Sequence, residues 1–139
     1  MLAQDFKTAE DLKISEAEWS AAISVLGMFE RGEIVHQPPK EYDWGSETPI
    51  AAHSFNMECS GVVADCGTIA CIGGWIAVLM GRRGGDINEY VNGTGADNLP
   101  LYGLFWGKTD PEVTAEQAAR ALRSYLTTGD ARWDLAIQT

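Results

Sequence analysis

The fold is decided by the stretch Cys66-Gly-Thr-Ile-Ala-Cys-Ile-Gly-Gly-Trp-Ile-Ala-Val-Leu-Met-Gly81, near the middle of a chain of 139 residues. This stretch has no charged residue and is apolar on every side of a helical projection. A helix without a polar face belongs in the interior of a protein, with other elements packed around it. We therefore predict a central buried helix over about 68–81, with Thr68 as its N-cap and Gly81 at its end.

Two amphipathic helices are predicted on either side of this segment, over residues 15–31 and 114–128. Each begins with a capping box, in which the N-cap side chain and the side chain three positions later each bind a free backbone N–H. Each is followed by a glycine, the residue that most readily takes the left-handed conformation after a helix. The boxes are Ser15 with Glu18 and Thr114 with Gln117, and the glycines are Gly32 and Gly129.

The rest of the chain carries weaker patterns. Residues 33–49 contain three prolines and are predicted to be an irregular connection, whereas residues 50–57 fit a short strand and a loop equally well. A short helix is expected within 86–91, and the apolar patch at 99–106 is expected to pack on the central helix. The side chain of Trp133 is expected to anchor the tail to the body. The sequence thus predicts a mainly α fold in a single small domain over residues 1–139, with long irregular connections and a minor β element left open.

Charge and hydropathy narrow the classes of function. The chain has 20 acidic and 10 basic residues, a formal net charge of −10, so a phosphate backbone is repelled. Its longest apolar run is shorter than the roughly 20 residues of a membrane-spanning helix, and residues 1–13 lack the apolar core of a secretion signal. We therefore expect a cytoplasmic protein that neither enters a membrane nor binds nucleic acid directly.

One motif connects the chain to other proteins. Residues 66–75 follow the pattern Cys-Gly-Thr-x-x-Cys-x-x-Gly-Trp, and His-Ser-Phe-Asn-Met precedes it at 53–57. Together with the blocks at 101–105, 113–119 and 128–133, this resembles a group of small phage, prophage and bacterial proteins. The resemblance implies a mobile-element setting and brings no activity with it. The motif positions in this chain are Asn56, Cys66, Thr68, Cys71 and Trp75.

A zinc site is one possible use of the cysteines. His53, Cys59, Cys66 and Cys71 have the H-x5-C-x6-C-x4-C spacing, and zinc takes four nitrogen or sulfur ligands. No tight Cys-x-x-Cys pair is present, and Cys71 is expected inside the central helix, where a free cysteine behaves as a small apolar residue. We therefore expect no cofactor, with a zinc-stabilised binding domain as the alternative.

A cysteine-dependent hydrolase is a second alternative. Cys66 lies at the start of the predicted central helix, where backbone N–H groups lower the pKa of a thiol. Glu-Cys-Ser-Gly-Val-Val at 58–63 resembles the Asp-Cys-Ser-Gly-Leu-Val of cell-wall peptidases, which place their histidine after the cysteine. Here no histidine follows His53, so a catalytic set of Cys66 or Cys59 with His53 departs from that pattern.

The leading hypothesis is a non-enzymatic accessory protein of a phage or other mobile element that binds a protein of the host or its defences. An acidic surface can imitate nucleic acid and inhibit a nucleic-acid-processing protein, with carboxylates in the place of phosphates. The expected binding residues lie in the acidic stretch ahead of the central segment: Glu30, Glu33, Glu41, Asp43, Glu47 and Glu58.

Overall fold

The fold is mainly helical, as predicted. The computed structural model describes residues 6–36, 53–55, 57, 62–64, 67–82, 85–93, 99–108 and 112–137. The helices are α1 (Ala9–Leu12), α2 (Glu16–Glu30), α3 (Ile72–Leu79), α4 (Gly85–Gly93), α5 (Tyr102–Trp106), α6 (Ala115–Thr128) and α7 (Trp133–Ala136). The strands are β1 (Val35–His36), β2 (His53–Phe55), β3 (Val62–Ala64) and β4 (Gly67–Ala70).

The two amphipathic helices, α2 and α6, begin and end as predicted. In α2 the Ser15 hydroxyl accepts the Glu18 N–H at 3.1 Å, and the Glu18 carboxylate accepts the Ser15 N–H at 3.0 Å. The same reciprocal pair starts α6, and Gly129 ends it with φ of 86°. The capping boxes and the glycines in the sequence are therefore enough to predict where α2 and α6 begin and end. The short helix α1, which has its own capping box, is absent from the prediction.

The predicted central helix begins later than expected. Residues Gly67–Ala70 form strand β4, and the helix α3 starts at Ile72 with Cys71, not Thr68, as its N-cap. The reason is that an all-round apolar run describes a strand paired on both sides as well as it describes a buried helix. The predicted burial and the predicted end of the helix are confirmed. Helix α3 is buried along most of its length, and Gly81 follows its end with φ of 90°.

The minor β element left open by the sequence is a four-stranded sheet of order β1-β2-β4-β3. The strands β1, β2 and β4 are parallel, and β3 runs antiparallel to β4. Residues 53–55 are therefore strand rather than loop. Because β4 leads directly into α3, the carboxyl edge of the parallel strands lies at the start of the central helix.

The core surrounds α3, which contacts α2, α4 and α5. The apolar patch at 99–106 packs on the central helix as predicted, with the ring of Phe105 lying where a side chain at Gly73 would be. In the described part of the chain, no helix is both long and apolar enough to cross a membrane.

Three tryptophan side chains connect segments that are distant in sequence. The indole N–H of Trp133 donates to the carbonyl oxygen of Gly103 at 2.9 Å, which confirms that it anchors the tail. Two further indole bonds reach backbone carbonyls in the same way: Trp19 to Lys7 at 2.8 Å and Trp106 to Val91 at 3.2 Å. These bonds satisfy the polar end of a large apolar side chain and fix how the helices sit on one another.

Candidate functional site

The residues singled out in the sequence fall into two groups. The backbones of His53 and Thr68 lie opposite each other in the β2–β4 ladder, and Cys71 and Trp75 lie at the start of α3. Glu30 ends α2, with Glu33 just beyond it. The remaining candidates lie outside the described residues: Glu41, Asp43, Glu47, Asn56, Glu58, Cys59 and Cys66.

Cys71 is a packing residue that also caps a helix. Its sulfur accepts the Gly74 N–H at 3.4 Å, and the side chain is 4% exposed. Burial raises the pKa of the Cys71 thiol, and the backbone N–H groups at the helix start oppose this only in part. The thiol therefore stays protonated at neutral pH, which is unsuitable for a nucleophile or a metal ligand. Its expected position inside the helix was wrong.

The helix boundary also alters the argument for Cys66. The central helix begins at Ile72 with Cys71 as its N-cap, so the prediction that the helix starts just after Cys66 is wrong. The hydrolase therefore loses the structural reason for choosing Cys66. Its other support, the pairing of Cys66 or Cys59 with His53, involves side chains outside the described ones and stays a prediction.

The zinc alternative also depends mainly on side chains outside the described part of the chain. Among the described residues, no three His, Cys, Asp or Glu side chains come together as a metal site would require. The side chains of His53, Cys59 and Cys66 lie outside that part of the chain, and the fourth expected ligand, Cys71, is committed to the start of α3. Zinc binding stays an alternative that only the first three could support.

Thiol labelling tests the role given to Cys71. At neutral pH we expect iodoacetamide to modify Cys71 at least about 10³-fold more slowly in the folded chain than in the unfolded one. The buried thiol must wait for an opening event, and domains of this size are held closed by roughly 5 kcal/mol or more. Mass spectrometry of the peptide that contains Cys71 measures both rates. A folded-state rate within tenfold of the unfolded rate would contradict the burial.

A polar cluster that the sequence did not predict joins α2, α4 and α6. The Tyr90 hydroxyl donates to the Glu18 carboxylate at 2.7 Å, and the Arg82 guanidinium lies over the Tyr90 ring, 5.1 Å from its centroid. The Tyr125 hydroxyl is buried without a hydrogen-bond partner among the described residues. Burial, with a smaller effect from the Glu18 charge, raises the pKa of Tyr125 to about 12. Burial and the bond to Glu18 raise the pKa of Tyr90 as well.

The side chains of this polar cluster stabilise the packing of the helices and are unsuited to catalysis. With raised pKa values, the phenols of Tyr90 and Tyr125 remain protonated at neutral pH and cannot act as bases there. Glu18 already serves two partners, the Ser15 N–H and the Tyr90 hydroxyl. The contact between Glu18 and Tyr90 joins positions 72 residues apart, so no local sequence pattern could have indicated it.

The two described members of the acidic set are ion-paired. Glu30 pairs with Arg123 of α6, and Glu33 pairs with Arg31 just after α2. Since each carboxylate has a guanidinium beside it, neither presents an isolated negative charge of the kind that would imitate a phosphate. Nucleic-acid mimicry would therefore rest on the four other expected residues, which lie outside the described part.

An open groove of about 960 Å³ runs along the exposed side of α2. Residues with small side chains recur at helical spacing along its floor (Ala17, Ser20, Ser24 and Gly27), and the larger Ile23 and Met28 of the same helix line it as well. Leu79 and Met80 at the end of α3 line it, and Phe6 contributes from the N-terminal segment. The sequence did not indicate this groove, because exposed small residues leave the apolar periodicity of α2 unchanged.

Arg31 lies at one end of the groove. Its side chain folds back along α2, so that Nη1 lies 2.9 Å from the place where a Cβ at Gly27 would be. Glu33 binds the Nε–H of the same guanidinium. The glycine thus makes room for the arginine, and the Nη groups are the donors that Arg31 presents along the floor.

Comparison with known proteins adds no assignment: no protein-family model, curated protein or solved structure matches this chain. The resemblance to phage and prophage proteins therefore stays a prediction.

Proposed function

We propose that this chain is a non-enzymatic protein that acts by binding another protein through the groove along α2. The groove itself is the observation that carries the proposal. At about 960 Å³ it is the size of a binding cleft, and Leu79, which lines it, is 40% exposed. Together with Phe6, Ile23 and Met80, Leu79 gives the cleft an apolar lining that a protein partner would cover.

The lining of the groove favours binding over chemistry. Its ionisable residues are Glu30, Arg31 and Glu33, and all three take part in the ion pairs described above. Within the described part of the chain it contains serines but no histidine, lysine or cysteine. A serine nucleophile needs a neighbouring base, so this composition suits recognition of a surface.

The proposal also includes a biological setting, a mobile element, and a cellular compartment, the cytoplasm. An accessory protein of a mobile element that binds and inhibits a host or defence protein would suit the net charge of −10, which favours basic partners over acidic ones. We place it in the cytoplasm, where the buried Cys71 thiol stays reduced. An inhibitor that imitates nucleic acid is the narrower version of the same proposal.

Photocrosslinking from the groove tests this function. With a photoreactive residue at position 79, we expect a discrete crosslinked protein in extracts of cells that express the chain. Adding Ser24→Arg should remove that product, because a long charged side chain would fill the floor of the groove. Gel electrophoresis and mass spectrometry identify the product.

The matched controls use Leu135 on α7, which is 53% exposed and lies outside the groove lining. A photoreactive residue at position 135 should not give the same product. Leu135→Arg changes the charge by the same amount as Ser24→Arg and should leave the product from position 79 intact. If Ser24→Arg has no effect on that product, or if no product forms, the groove is not the binding surface.

A further inference from the structure

The Tyr125 hydroxyl is a buried polar group without a hydrogen bond. The residue lies on α6 and is 2% exposed, and its oxygen has no partner among the described residues. An unbonded hydroxyl in the interior destabilises a protein at least as much as a typical hydrogen bond stabilises it. Buried polar groups are nearly always bonded, so the exception at Tyr125 requires an explanation.

The Glu18 carboxylate is an acceptor close enough to affect this hydroxyl. Helix α2, which carries Glu18, packs against α6. Burial and, to a smaller extent, the negative charge of Glu18 raise the pKa of Tyr125, so the carboxylate lies within electrostatic reach of the phenol. A phenol that stays protonated beside a carboxylate is a hydrogen-bond donor for it.

Each oxygen of the Glu18 carboxylate already has a donor. Oε1 accepts the Ser15 N–H at 3.0 Å and belongs to the capping box of α2, whereas Oε2 accepts the Tyr90 hydroxyl at 2.7 Å. Tyr125 can therefore replace Tyr90 at Oε2 while the start of α2 keeps its cap. Because Tyr90 is only partly buried, water can bond its hydroxyl once it leaves the carboxylate.

The contacts of the Tyr90 ring oppose this replacement. The ring packs edge-on against Phe105, with centroids 5.9 Å apart, and the Arg82 guanidinium lies over it at 5.1 Å. An aromatic pair and a cation–π contact together stabilise a protein by an amount similar to the penalty for an unbonded buried hydroxyl. We therefore expect the arrangements with Tyr90 and with Tyr125 at Oε2 to be close in free energy.

We propose that Glu18 exchanges between two tyrosines, and that the chain has a second state in which Tyr125 donates to Oε2 and the Tyr90 side chain turns out to solvent. The exchange uncovers the edge of the Phe105 ring, so the surface that α4 presents differs between the two states. None of the residues that exchange lines the groove along α2, and the switch is therefore independent of the proposed function.

A double-mutant cycle tests the exchange. In the otherwise unchanged chain, Tyr125→Phe should raise the urea midpoint of unfolding or leave it unchanged, because the hydroxyl that is removed has no bond in the state seen here. In the Tyr90→Phe chain, where Tyr125 becomes the donor for Oε2, the same substitution should lower the midpoint by about 0.5 M or more. Both substitutions remove one oxygen and keep the ring, and far-UV circular dichroism follows the four unfolding curves.

Two further measurements sharpen the test. Tyr102 on α5 is a partly buried tyrosine outside the cluster, so Tyr125→Phe in a Tyr102→Phe chain should have the same effect as in the unchanged chain. A crystal structure of the Tyr90→Phe chain should place the Tyr125 hydroxyl within hydrogen-bonding distance of Oε2 of Glu18.

The inference is overturned if Tyr125→Phe has the same effect with and without the Tyr90 hydroxyl. A lower midpoint in both chains would mean that the Tyr125 hydroxyl has a permanent partner, such as a bound water. A higher or unchanged midpoint in both would mean that Tyr125 never donates to Glu18. A crystal structure of Tyr90→Phe in which Tyr125 stays away from Oε2 would overturn it as well.

Discussion

Replacing Trp133 with alanine is expected to lower the free energy of unfolding by about 3–5 kcal/mol. The side chain is 8% exposed, and its indole N–H donates to the Gly103 carbonyl, which holds α7 against α5. The substitution removes the apolar contacts of a large ring, leaves a cavity and removes one of the two hydrogen bonds that the Gly103 carbonyl accepts, the other coming from the Gly107 N–H. Urea denaturation followed by far-UV circular dichroism measures the change, which is a large fraction of the stability of an ordinary domain.

Two variants show which part of the interaction matters. Trp133→Phe keeps an aromatic ring but loses the N–H donor, so it should cost less than half as much as Trp133→Ala. Leu135→Ala, on the same short helix but exposed, should change the free energy of unfolding by less than about 0.5 kcal/mol. If Trp133→Ala and Leu135→Ala have equal effects, α7 does not contribute to the core.

The second large effect is expected from Gly73→Val, which should lower the free energy of unfolding by about 2–3 kcal/mol. A Cβ at position 73 would lie 2.9 Å from Cδ2 of Phe105, closer than real Cβ contacts come. Phe105 is 2% exposed and packs edge-on against Tyr90, with ring centroids 5.9 Å apart, so it has little room to withdraw. Thermal and urea unfolding of the variant measure the loss.

Gly103→Ala on α5 is the matched control. Among the described residues, no atom beyond its chain neighbours and its own helix backbone lies within 4 Å of the added methyl group. Because alanine also favours helical conformation, the effect should be neutral or stabilising by up to about 1 kcal/mol. Equal effects of Gly73→Val and Gly103→Ala would show that the Phe105 ring moves aside, and that α3 and α5 are packed less closely than described.

The elements that could be predicted from the sequence are those with local causes. Helices α2 and α6 each have a capping box, an apolar stripe and a glycine after the end, and all three signals lie within a few residues of one another. The strand β4 has no such signal. Its apolar residues would suit a buried helix equally well, and the choice is made by pairing with β2 and β3.

The candidate site was less predictable than the fold for a related reason. Cysteines, histidines and acidic residues were chosen as candidates because their side chains can carry out chemistry or bind charged partners. In the structure, Cys71 is a buried helix cap and Glu30 is an ion-paired surface residue. The groove is built from Ala17, Ser20 and Ser24, which are ordinary helix-surface residues and become notable only once Leu79 lies beside them. Tertiary packing creates that combination.

The parallel pairing in the sheet has a consequence for the kinetics of folding. Pairing Val35 with Ser54, and His53 with Thr68, requires two long loops to close before any bond between those strands can form. The capped helices α2 and α6 close their bonds within four residues and meet no such barrier. We therefore expect the helices to form early and the sheet late, with the search for parallel register setting the rate at which the chain becomes native.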